Sequence, residues 1–243
     1  MTRFHRGDPR IALQRWSQIL FSQGFGTRRE CDALLSAGLV TCEGRVVDAD
    51  TEVSPDGLVF EVRGEPWPYR DKALVVLHKP AGHECSQRPR HHPSVLSLLP
   101  APLRRRNVQP VGRLDEDTTG LLLLTDDGAL IHRLTSPKKH VPKVYEAVTA
   151  APVTAAQVEA LLRGVVLHDD PRPVRAAACE AAGERSLRLT LVEGRYHQVK
   201  RMLAAAGNTV VGLHRSRFGA LELPADLAPG QWRWLDGPEA VLG

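Results

Sequence analysis

The residues best suited to chemistry in this chain of 243 residues lie in the stretch 111–128, VGRLDEDTTGLLLLTDDG. Asp115, Glu116 and Asp117 are followed, after three residues, by a run of four leucines that must be buried. The leucines predict a strand, residues 125–128 a polar turn, and the residues after them a helix. A loop anchored by a rigid strand is a common place for catalytic side chains. Metal ligation is an alternative, although the spacing lacks the ligand periodicity of a calcium loop.

The composition is that of an ordinary globular protein, with 42% hydrophobic and 25% charged residues. No apolar run approaches the ~18 residues of a membrane span. The basic tail at residues 1–10 lacks the apolar segment of a secretory signal. The four cysteines are far apart and show no zinc-binding or disulfide pattern. We therefore expect a cytoplasmic protein with free thiols and no membrane partner.

The positive charge is locally concentrated, although the formal net charge is only +4. The clusters are Arg28–Arg29, Arg104–Arg106, Lys138–Lys139 and Lys200–Arg201. Cations clustered on one face neutralise phosphates and release counterions, so nucleic acid is the leading partner class. Solvated charges scattered over several faces remain the alternative.

Residues 11–62 are predicted to form a small separate domain. Leu13, Trp16 and Leu20 recur at helical spacing, and the second helix opens with the capping box of Thr27 and Glu30. Two short β-rich runs around residues 43–44 predict a hairpin.

Arg28 and Arg29 fall in the first turn of that second helix, where the helix dipole disfavours cations and a phosphate ligand would explain them. The order Gly26-Thr27-Arg28-Arg29-Glu30, followed by residues 38–44, resembles the S-four-type RNA-binding domain. A generic pair of helices is the alternative. The resemblance implies that Arg28 and Arg29 bind RNA.

Residues 63–71, with two prolines and alternating charge, are expected to be a linker. From residue 72 to residue 243, short strands alternate with helical segments such as TAAQVEALLRGV and YHQVKRMLAAAG. This pattern predicts an α+β domain with a mixed, largely antiparallel sheet flanked by helices.

A second resemblance covers this larger domain. GRLDEDTTGLLLLTDDG, LHKPAG, PKVYEAVT and EGRYHQVKRMLAAAGNTVVGLHRSRFGALEL resemble the motifs of one family of RNA pseudouridine synthases, with His78 where asparagine is usual. Tyr196 and His197 favour the branch that acts on small-subunit (16S) ribosomal RNA, the RsuA type, because large-subunit branches more often carry asparagine and arginine there.

The resemblance implies an enzyme that isomerises a flipped-out uridine to pseudouridine without any cofactor or metal. Asp115 corresponds to the catalytic aspartate, Tyr145 to the aromatic platform and Arg113 to the arginine that fills the gap left by the base. A buried carboxylate needs an opposite charge nearby. Lys200 lies at ~100° from Val199, on the border of the buried helical stripe, and is the candidate.

Other residues are expected to have lesser roles. Arg201 lies at ~200° from Val199 and is expected to meet solvent or RNA. Glu116 and Thr119 are expected to be structural or variable, whereas Asp117 and Thr118 should brace the loop by hydrogen bonds.

We expect a monomer that acts on ribosomal RNA or on an assembling small ribosomal subunit. Three alternatives stay open. The first is the same reaction on large-subunit (23S) RNA, the second is an inactive RNA-binding assembly factor, and the third is a metal-dependent nuclease.

Overall fold

The computed structural model describes residues 12–243, which form two compact units. The first unit contains residues up to 73 together with residues 100–108, and the second contains residues 74–99 and 109–243. The basic tail expected at residues 1–10 lies outside the described residues, as does residue 11 at the start of the predicted RNA-binding domain.

The first unit combines short helices with two small antiparallel sheets. Its helices are α1 (Trp16–Ser22), α2 (Arg28–Ser36) and α3 (Ala101–Arg105). Its strands are β1 (Gln14–Arg15), β2 (Val40–Cys42), β3 (Arg45–Val46), β4 (Glu52–Val53), β5 (Val59–Val62) and β6 (Glu65–Pro68). The sheet orders are β1-β4 and β3-β2-β5-β6.

Two local predictions for this unit are confirmed. Thr27 accepts a hydrogen bond from the Glu30 amide at 3.3 Å, and the Glu30 carboxylate accepts one from the Thr27 amide at 2.7 Å. Glu43 and Gly44 have φ values of 50° and 74°, which is the left-handed turn that a two-residue hairpin between β2 and β3 requires. Sequence reasoning therefore locates short-range structure well here.

Two other expectations for this unit differ from the structure. Leu13 lies before α1 and is exposed, so only Trp16 and Leu20 of the helical set are buried. Residues 63–71, expected to be a linker, contain β6, which pairs with β5. Trp67 is buried in this strand, so burial of its indole explains why the proline-rich segment is ordered.

The helix α3 joins the first unit although its residues lie far along the chain. Arg105 donates a hydrogen bond to the Phe25 carbonyl at 3.1 Å, and Arg106 donates one to the Gln23 side chain at 2.9 Å. The basic run 104–106 therefore belongs to the same unit as Arg28 and Arg29.

The second unit contains one large sheet, one hairpin and four helices within the described residues. Its helices are α4 (Gly128–Thr135), α5 (Ala155–Arg163), α6 (Gln198–Ala205) and α7 (Glu239–Leu242), with 3₁₀ turns at Val95–Leu98 and Pro137–Lys139. Its strands are β7 (Leu74–Lys79), β8 (Gln109–Pro110), β9 (Thr119–Thr125), β10 (Lys143–Thr149), β11 (Val165–Leu167), β12 (Asp170–Val174), β13 (Ala178–Gly183), β14 (Ser186–Leu191), β15 (Val210–Phe218), β16 (Leu221–Glu222) and β17 (Trp232–Trp234).

The large sheet has the order β13-β14-β10-β15-β9-β7-β17, with β8 and β16 paired to β9 and β15. Every described pair in it is antiparallel except β9 with β15. The predicted mixed, largely antiparallel sheet flanked by helices is therefore confirmed. The hairpin of β11 and β12 stands apart from this sheet.

The leucine run forms the centre of β9, where Leu121–Leu124 are fully buried. Gly120, with φ of 108°, immediately precedes it, and a Cβ there would lie 2.3 Å from the Arg215 carbonyl oxygen. Only glycine permits this approach of β9 to β15. The Asp127 side chain caps α4 by accepting hydrogen bonds from the amides of Ala129 and Leu130, as predicted for the turn at residues 125–128.

Two boundaries in this unit differ from the prediction. The last predicted helix begins at Gln198 rather than at Tyr196, and His197 precedes it with a left-handed φ of 46°. The alternation of short strands and helical segments also did not locate the break within residues 174–181, where β12 ends at Val174 and β13 begins at Ala178. Of the helices in the described part of the chain, none is both long and apolar enough to cross a membrane.

Candidate active site

The acidic loop lies between β8 and β9 and is closed by its own backbone. The Thr118 amide donates a hydrogen bond to the Asp115 carbonyl at 3.1 Å, which forms a tight turn across residues 115–118. The buried leucines of β9 follow at once, so the loop is attached directly to the rigid centre of the sheet. This attachment fixes the position of the Asp115 backbone.

A buried lysine braces the same loop from the neighbouring strand. Lys79, at the end of β7, donates hydrogen bonds to the backbone carbonyls of Pro80 at 3.0 Å, Glu116 at 3.0 Å and Thr118 at 2.7 Å. An ammonium group has three donors, and all of them are used here. Of the two side chains expected to brace the loop, Asp117 accepts hydrogen bonds from Lys200, whereas the Thr118 hydroxyl has no hydrogen-bond partner among the described residues.

Asp115 faces two basic side chains. The Lys200 ammonium lies 3.3 Å from its Oδ2 atom, and the His197 Nε2 atom lies 3.2 Å from its Oδ1 atom. The side chains of Asp115 and Lys200 are only 27% and 26% exposed, so their interaction is partly shielded from water. The predicted pairing of Asp115 with Lys200 is present in the structure.

Lys200 also holds a second carboxylate of the loop. Its ammonium lies 2.6 Å and 2.8 Å from the two oxygens of Asp117. Burial alone would raise the pKa of Asp117, but the hydrogen bonds and charge of Lys200 outweigh it and leave that pKa below its usual value. Burial would likewise lower the pKa of Lys200, and the two aspartates leave it raised. Lys200 is thus a cation shared between Asp115 and Asp117.

The residues before α6 place His197 at the site. The Gln198 side chain accepts a hydrogen bond from the Arg195 amide at 2.8 Å, and Arg195 forms an ion pair with Asp170 at 2.7 Å. The ring of His197 stacks on that of Tyr196, with centroids 3.8 Å apart. Tyr196 is 68% exposed, so this stack has one face open to solvent.

A cavity of about 590 Å³ opens beside the acidic loop within the second unit. Asp115 and His197 line it on one side, and Tyr145 lies among its buried lining residues. Arg113 also lines the cavity and is exposed. A flat base-sized ring could therefore lie against the tyrosine with its sugar near the carboxylate.

Two further cations that are buried in the cavity lining were not singled out from the sequence. Lys143 lies two residues before Tyr145 on β10, and Arg215 is the partner of Tyr145 on β15. Both side chains are buried. Burial, followed by the positive charge of Arg215, lowers the pKa of Lys143 from 10.5 to about 8.

Replacing Lys143 with methionine is expected to stabilise the protein at neutral pH. Each pKa unit corresponds to ~1.4 kcal/mol, so the lowered pKa represents a penalty of up to about 3 kcal/mol. Because the folded pKa is below the unfolded one, the penalty is full below pH ~8 and fades as the pH rises towards ~10.5.

The thermal midpoints of Lys143→Met and the unchanged protein should be compared at pH 7 and pH 10. The exposed Lys139, changed to methionine, is the matched control and should alter neither midpoint. A gain that is equal at both pH values would contradict the electrostatic explanation.

The remaining predicted residues do not belong to this cavity lining. Arg28 and Arg29 are exposed at the start of α2 in the first unit, and Arg28 lies over the Phe21 ring at 5.7 Å. Arg201, expected to face solvent or RNA, instead binds Asp169 and the Tyr196 carbonyl. The angle of Arg201 to Val199 predicted that its side chain points away from the buried stripe. The angle could not predict that the turn between β11 and β12 lies on that side of the helix.

Each acidic side chain of the loop lies near a basic side chain. Asp115 and Asp117 are close to Lys200, Asp115 is also close to His197, and Glu116 lies 3.7 Å from His92. Among residues 12–243, no group of three or more His, Cys, Asp and Glu side chains is arranged to hold a metal ion.

The chain is similar in sequence to known RNA pseudouridine synthases. A family model described as RNA pseudouridylate synthase matches residues 73–205. An uncharacterised RNA pseudouridine synthase of Bacillus subtilis is 38% identical over 232 residues, which are 94% of this chain and 97% of that protein. The ribosomal small subunit pseudouridine synthase A of Escherichia coli is 47% identical over 164 residues, which are 68% of this chain and 71% of that protein.

A solved structure extends the comparison to the fold. The crystal structure of a pseudouridylate synthase with 34% identity aligns with a TM-score of 0.67 and covers 94% of this chain and 99% of its own. The family model spans more than half of the chain and includes Asp115, Tyr145 and Lys200. On these grounds the chain belongs to the family of RNA pseudouridine synthases, enzymes that isomerise uridine within RNA.

Proposed function

We propose that this protein converts a specific uridine of small-subunit (16S) ribosomal RNA into pseudouridine, with Asp115 as the nucleophile. The observation that carries the proposal is the Asp115 carboxylate, fixed by Lys200 and His197 at the edge of a cavity that also contains Tyr145. Support for the substrate comes from relatives named ribosomal small subunit pseudouridine synthase A, which are 38–47% identical to this chain.

The reaction requires that the uridine leave its stack and enter the cavity. Tyr145 offers an aromatic face for the base, and stacking of this kind contributes ~1–3 kcal/mol. Arg113 is exposed beside the cavity and is the residue proposed to fill the gap in the RNA. The ionised Asp115 then faces the ribose carbon C1′.

In the proposed mechanism the C1′–N1 bond breaks and its electron pair stays with uracil, while an Asp115 oxygen bonds to C1′. The freed base turns, and its C5 atom attacks C1′ and displaces the carboxylate. The C5 proton passes to water, and N1 takes up a proton from water. The product is an isomer of the substrate, so the reaction involves no net oxidation or reduction.

The first unit is proposed to supply affinity for RNA, as the resemblance to S-four-type domains suggests. Its exposed cations include Arg28 and Arg29, and α3 adds Arg104 to the same unit. Phosphate contacts of this kind release counterions and make binding depend on salt. The location is proposed to be the cytoplasm and the acting form a monomer.

Changing both Arg28 and Arg29 to alanine should weaken RNA binding and reduce its salt dependence. The slope of log affinity against log salt should fall by roughly one to two units, because one or two phosphate contacts are lost. A double variant of Arg45 and Arg63, which are exposed in the strand region of the same unit, is the matched control. Equal slopes in the two double variants would favour scattered solvated charges instead.

The substrate is tested by incubating the purified protein with small-subunit RNA, assembling small subunits and large-subunit RNA, followed by pseudouridine mapping. We expect one new pseudouridine, in the small-subunit RNA. A new pseudouridine only in large-subunit RNA would move the assignment to that substrate. RNA binding without any product would favour an assembly factor.

A further inference from the structure

Two buried cations in the cavity lining have no counter-ion among the described residues. Lys143 and Arg215 are 8% and 2% exposed, and neither forms an ion pair with any described residue. The Lys143 ammonium donates to the Val141 carbonyl at 3.0 Å. Arg215 donates through Nε to the Leu121 carbonyl at 2.8 Å, while its Nη2 atom is buried with no hydrogen-bond partner.

This arrangement is costly for a purely structural role. A buried charge without a partner destabilises the folded state, and replacing it with an apolar side chain commonly stabilises a protein. The single hydrogen bond from Arg215 to Leu121 could be donated by a neutral amide, so it does not explain the positive charge. Both cations also lie near the Phe218 ring, each 5.1 Å from its centroid, and so share one part of the cavity.

The two cations lie beside Tyr145, the proposed platform for the base, on the same strand and on the neighbouring strand. Tyr145 is two residues from Lys143 on β10, so both point to the same face of the strand. Arg215 is the register partner of Tyr145 on β15. A base lying against Tyr145 would therefore have its polar edge near positive charge.

We infer that Lys143 and Arg215 stabilise the negative charge that uracil acquires when its bond to ribose breaks. The inference rests on the proposed function and deepens it. When C1′–N1 breaks, the electron pair delocalises over N1 and the two carbonyl oxygens of the ring. Hydrogen-bond donors that are fixed in a dry site before the reaction favour such charge development. The unpartnered Nη2 of Arg215 is a donor available for a carbonyl oxygen of this anion.

The test compares two RNA substrates that differ in how well the base carries negative charge. One contains uridine at the target site, and the other contains 5-fluorouridine, whose fluorine withdraws electrons from the ring. Single-turnover loss of the N1-linked nucleoside is measured by nuclease digestion and chromatography for both. Arg215→Gln and Lys143→Met are the test variants. Arg217→Gln, which removes an exposed cation from the same strand, is the matched control.

With uridine, Arg215→Gln is expected to slow the reaction by roughly 10²–10³-fold and Lys143→Met by roughly 10-fold or more. With 5-fluorouridine, both losses should be at least tenfold smaller, because the base itself stabilises the charge. Arg217→Gln should behave as the unchanged protein with both substrates. Asp115→Asn should be equally impaired with both, since it lacks the nucleophile.

Equal losses of the two test variants on both substrates would overturn the inference, because a merely structural role does not depend on the fluorine. Weaker RNA binding with an unchanged single-turnover rate would also overturn it, since the cations would then be phosphate contacts. Arg215→Lys keeps the charge in the cavity and serves if the glutamine variant fails to fold. Arg215→Lys alone should retain more activity than the double variant that combines Arg215→Lys with Lys143→Met.

A failure of the proposed function can be distinguished from a failure of this inference. If the unchanged protein forms no pseudouridine in small-subunit RNA, the substrate assignment is wrong. If the unchanged protein is active and the variants of Lys143 and Arg215 match it on uridine, only the role of the two cations is wrong.

Discussion

Asp115→Asn is expected to abolish pseudouridine formation, with a loss of at least roughly 10⁴-fold in rate. Asparagine keeps the shape of the side chain but removes the nucleophilic oxygen and the negative charge that faces Lys200 and His197. RNA binding should persist, because the proposed phosphate contacts lie elsewhere in the chain. The measurement is release of tritium from carbon five of the target uridine, with EDTA present throughout.

Glu116→Gln is the matched control for this variant. Glu116 is the next residue in the loop, but its side chain is directed to His92 at 3.7 Å, and its loop position depends on its backbone carbonyl. Its turnover should be close to that of the unchanged protein. Turnover by Asp115→Asn, or loss of activity in the unchanged protein on addition of EDTA, would contradict the carboxylate mechanism and favour a metal-dependent one.

The second large effect is expected for Lys200→Met, which should slow the reaction by roughly 10²–10³-fold. The variant removes the cation that Asp115 and Asp117 share, so the two carboxylates would repel each other across the loop. Lys200→Arg should stay within about tenfold of the unchanged rate, because the charge is kept and only the contact geometry changes. Single-turnover conversion at saturating RNA measures both variants.

The pH dependence follows from the same ion cluster. The lowered pKa of Asp117 means that its stabilising contribution is lost only as the pH falls through the folded value. The raised pKa of Lys200 means that its contribution is lost only as the pH rises through the folded value. The ion pair of Asp117 and Lys200 should therefore stay charged throughout the neutral range. Arg163→Gln is the control for Lys200→Met, because Arg163 forms an exposed ion pair within a helix, and this variant should not alter the rate. An unchanged rate in Lys200→Met would contradict the role of Lys200 as a cation shared by the two aspartates.

The part of the site that could be predicted from sequence depends on local geometry and motif. The position of Lys200 on the border of the helical stripe followed from its angle to Val199, and the structure brings it to Asp115. Side chains alternate along a strand, so only one of Val144 and Tyr145 can face inward, and Tyr145 is the buried one. Periodicity determines these directions before any tertiary contact is known.

The rest of the site depends on contacts between distant segments. Lys79 was part of a recognised motif, but the valines and leucines of its strand do not indicate that the lysine donates hydrogen bonds to three backbone carbonyls. The burial of Lys143 and Arg215 was equally invisible, because charged residues are almost never fully buried and the expectation is exposure. Asp117 was expected to brace the loop by hydrogen bonds, but the sequence did not indicate that its partner is Lys200, 83 residues away.

The fold shows the same division. The capping box of α2 and the hairpin turn at residues 43–44 are short-range features and were predicted correctly. The addition of α3 to the first unit was missed, because it depends on side chains that reach Phe25 and Gln23 from 80 and 83 positions away. The sequence around α3 carries only a basic run, which does not specify a partner.

The central claim is that Asp115 of this protein makes a pseudouridine in small-subunit ribosomal RNA. Its most direct test is pseudouridine mapping of ribosomal RNA from cells that lack the gene and are supplied with either the unchanged protein or Asp115→Asn at equal levels. We predict that one pseudouridine of the small-subunit RNA disappears on deletion, returns with the unchanged protein and stays absent with Asp115→Asn. Restoration of that pseudouridine by Asp115→Asn, or a small-subunit RNA that does not change on deletion, would contradict the claim.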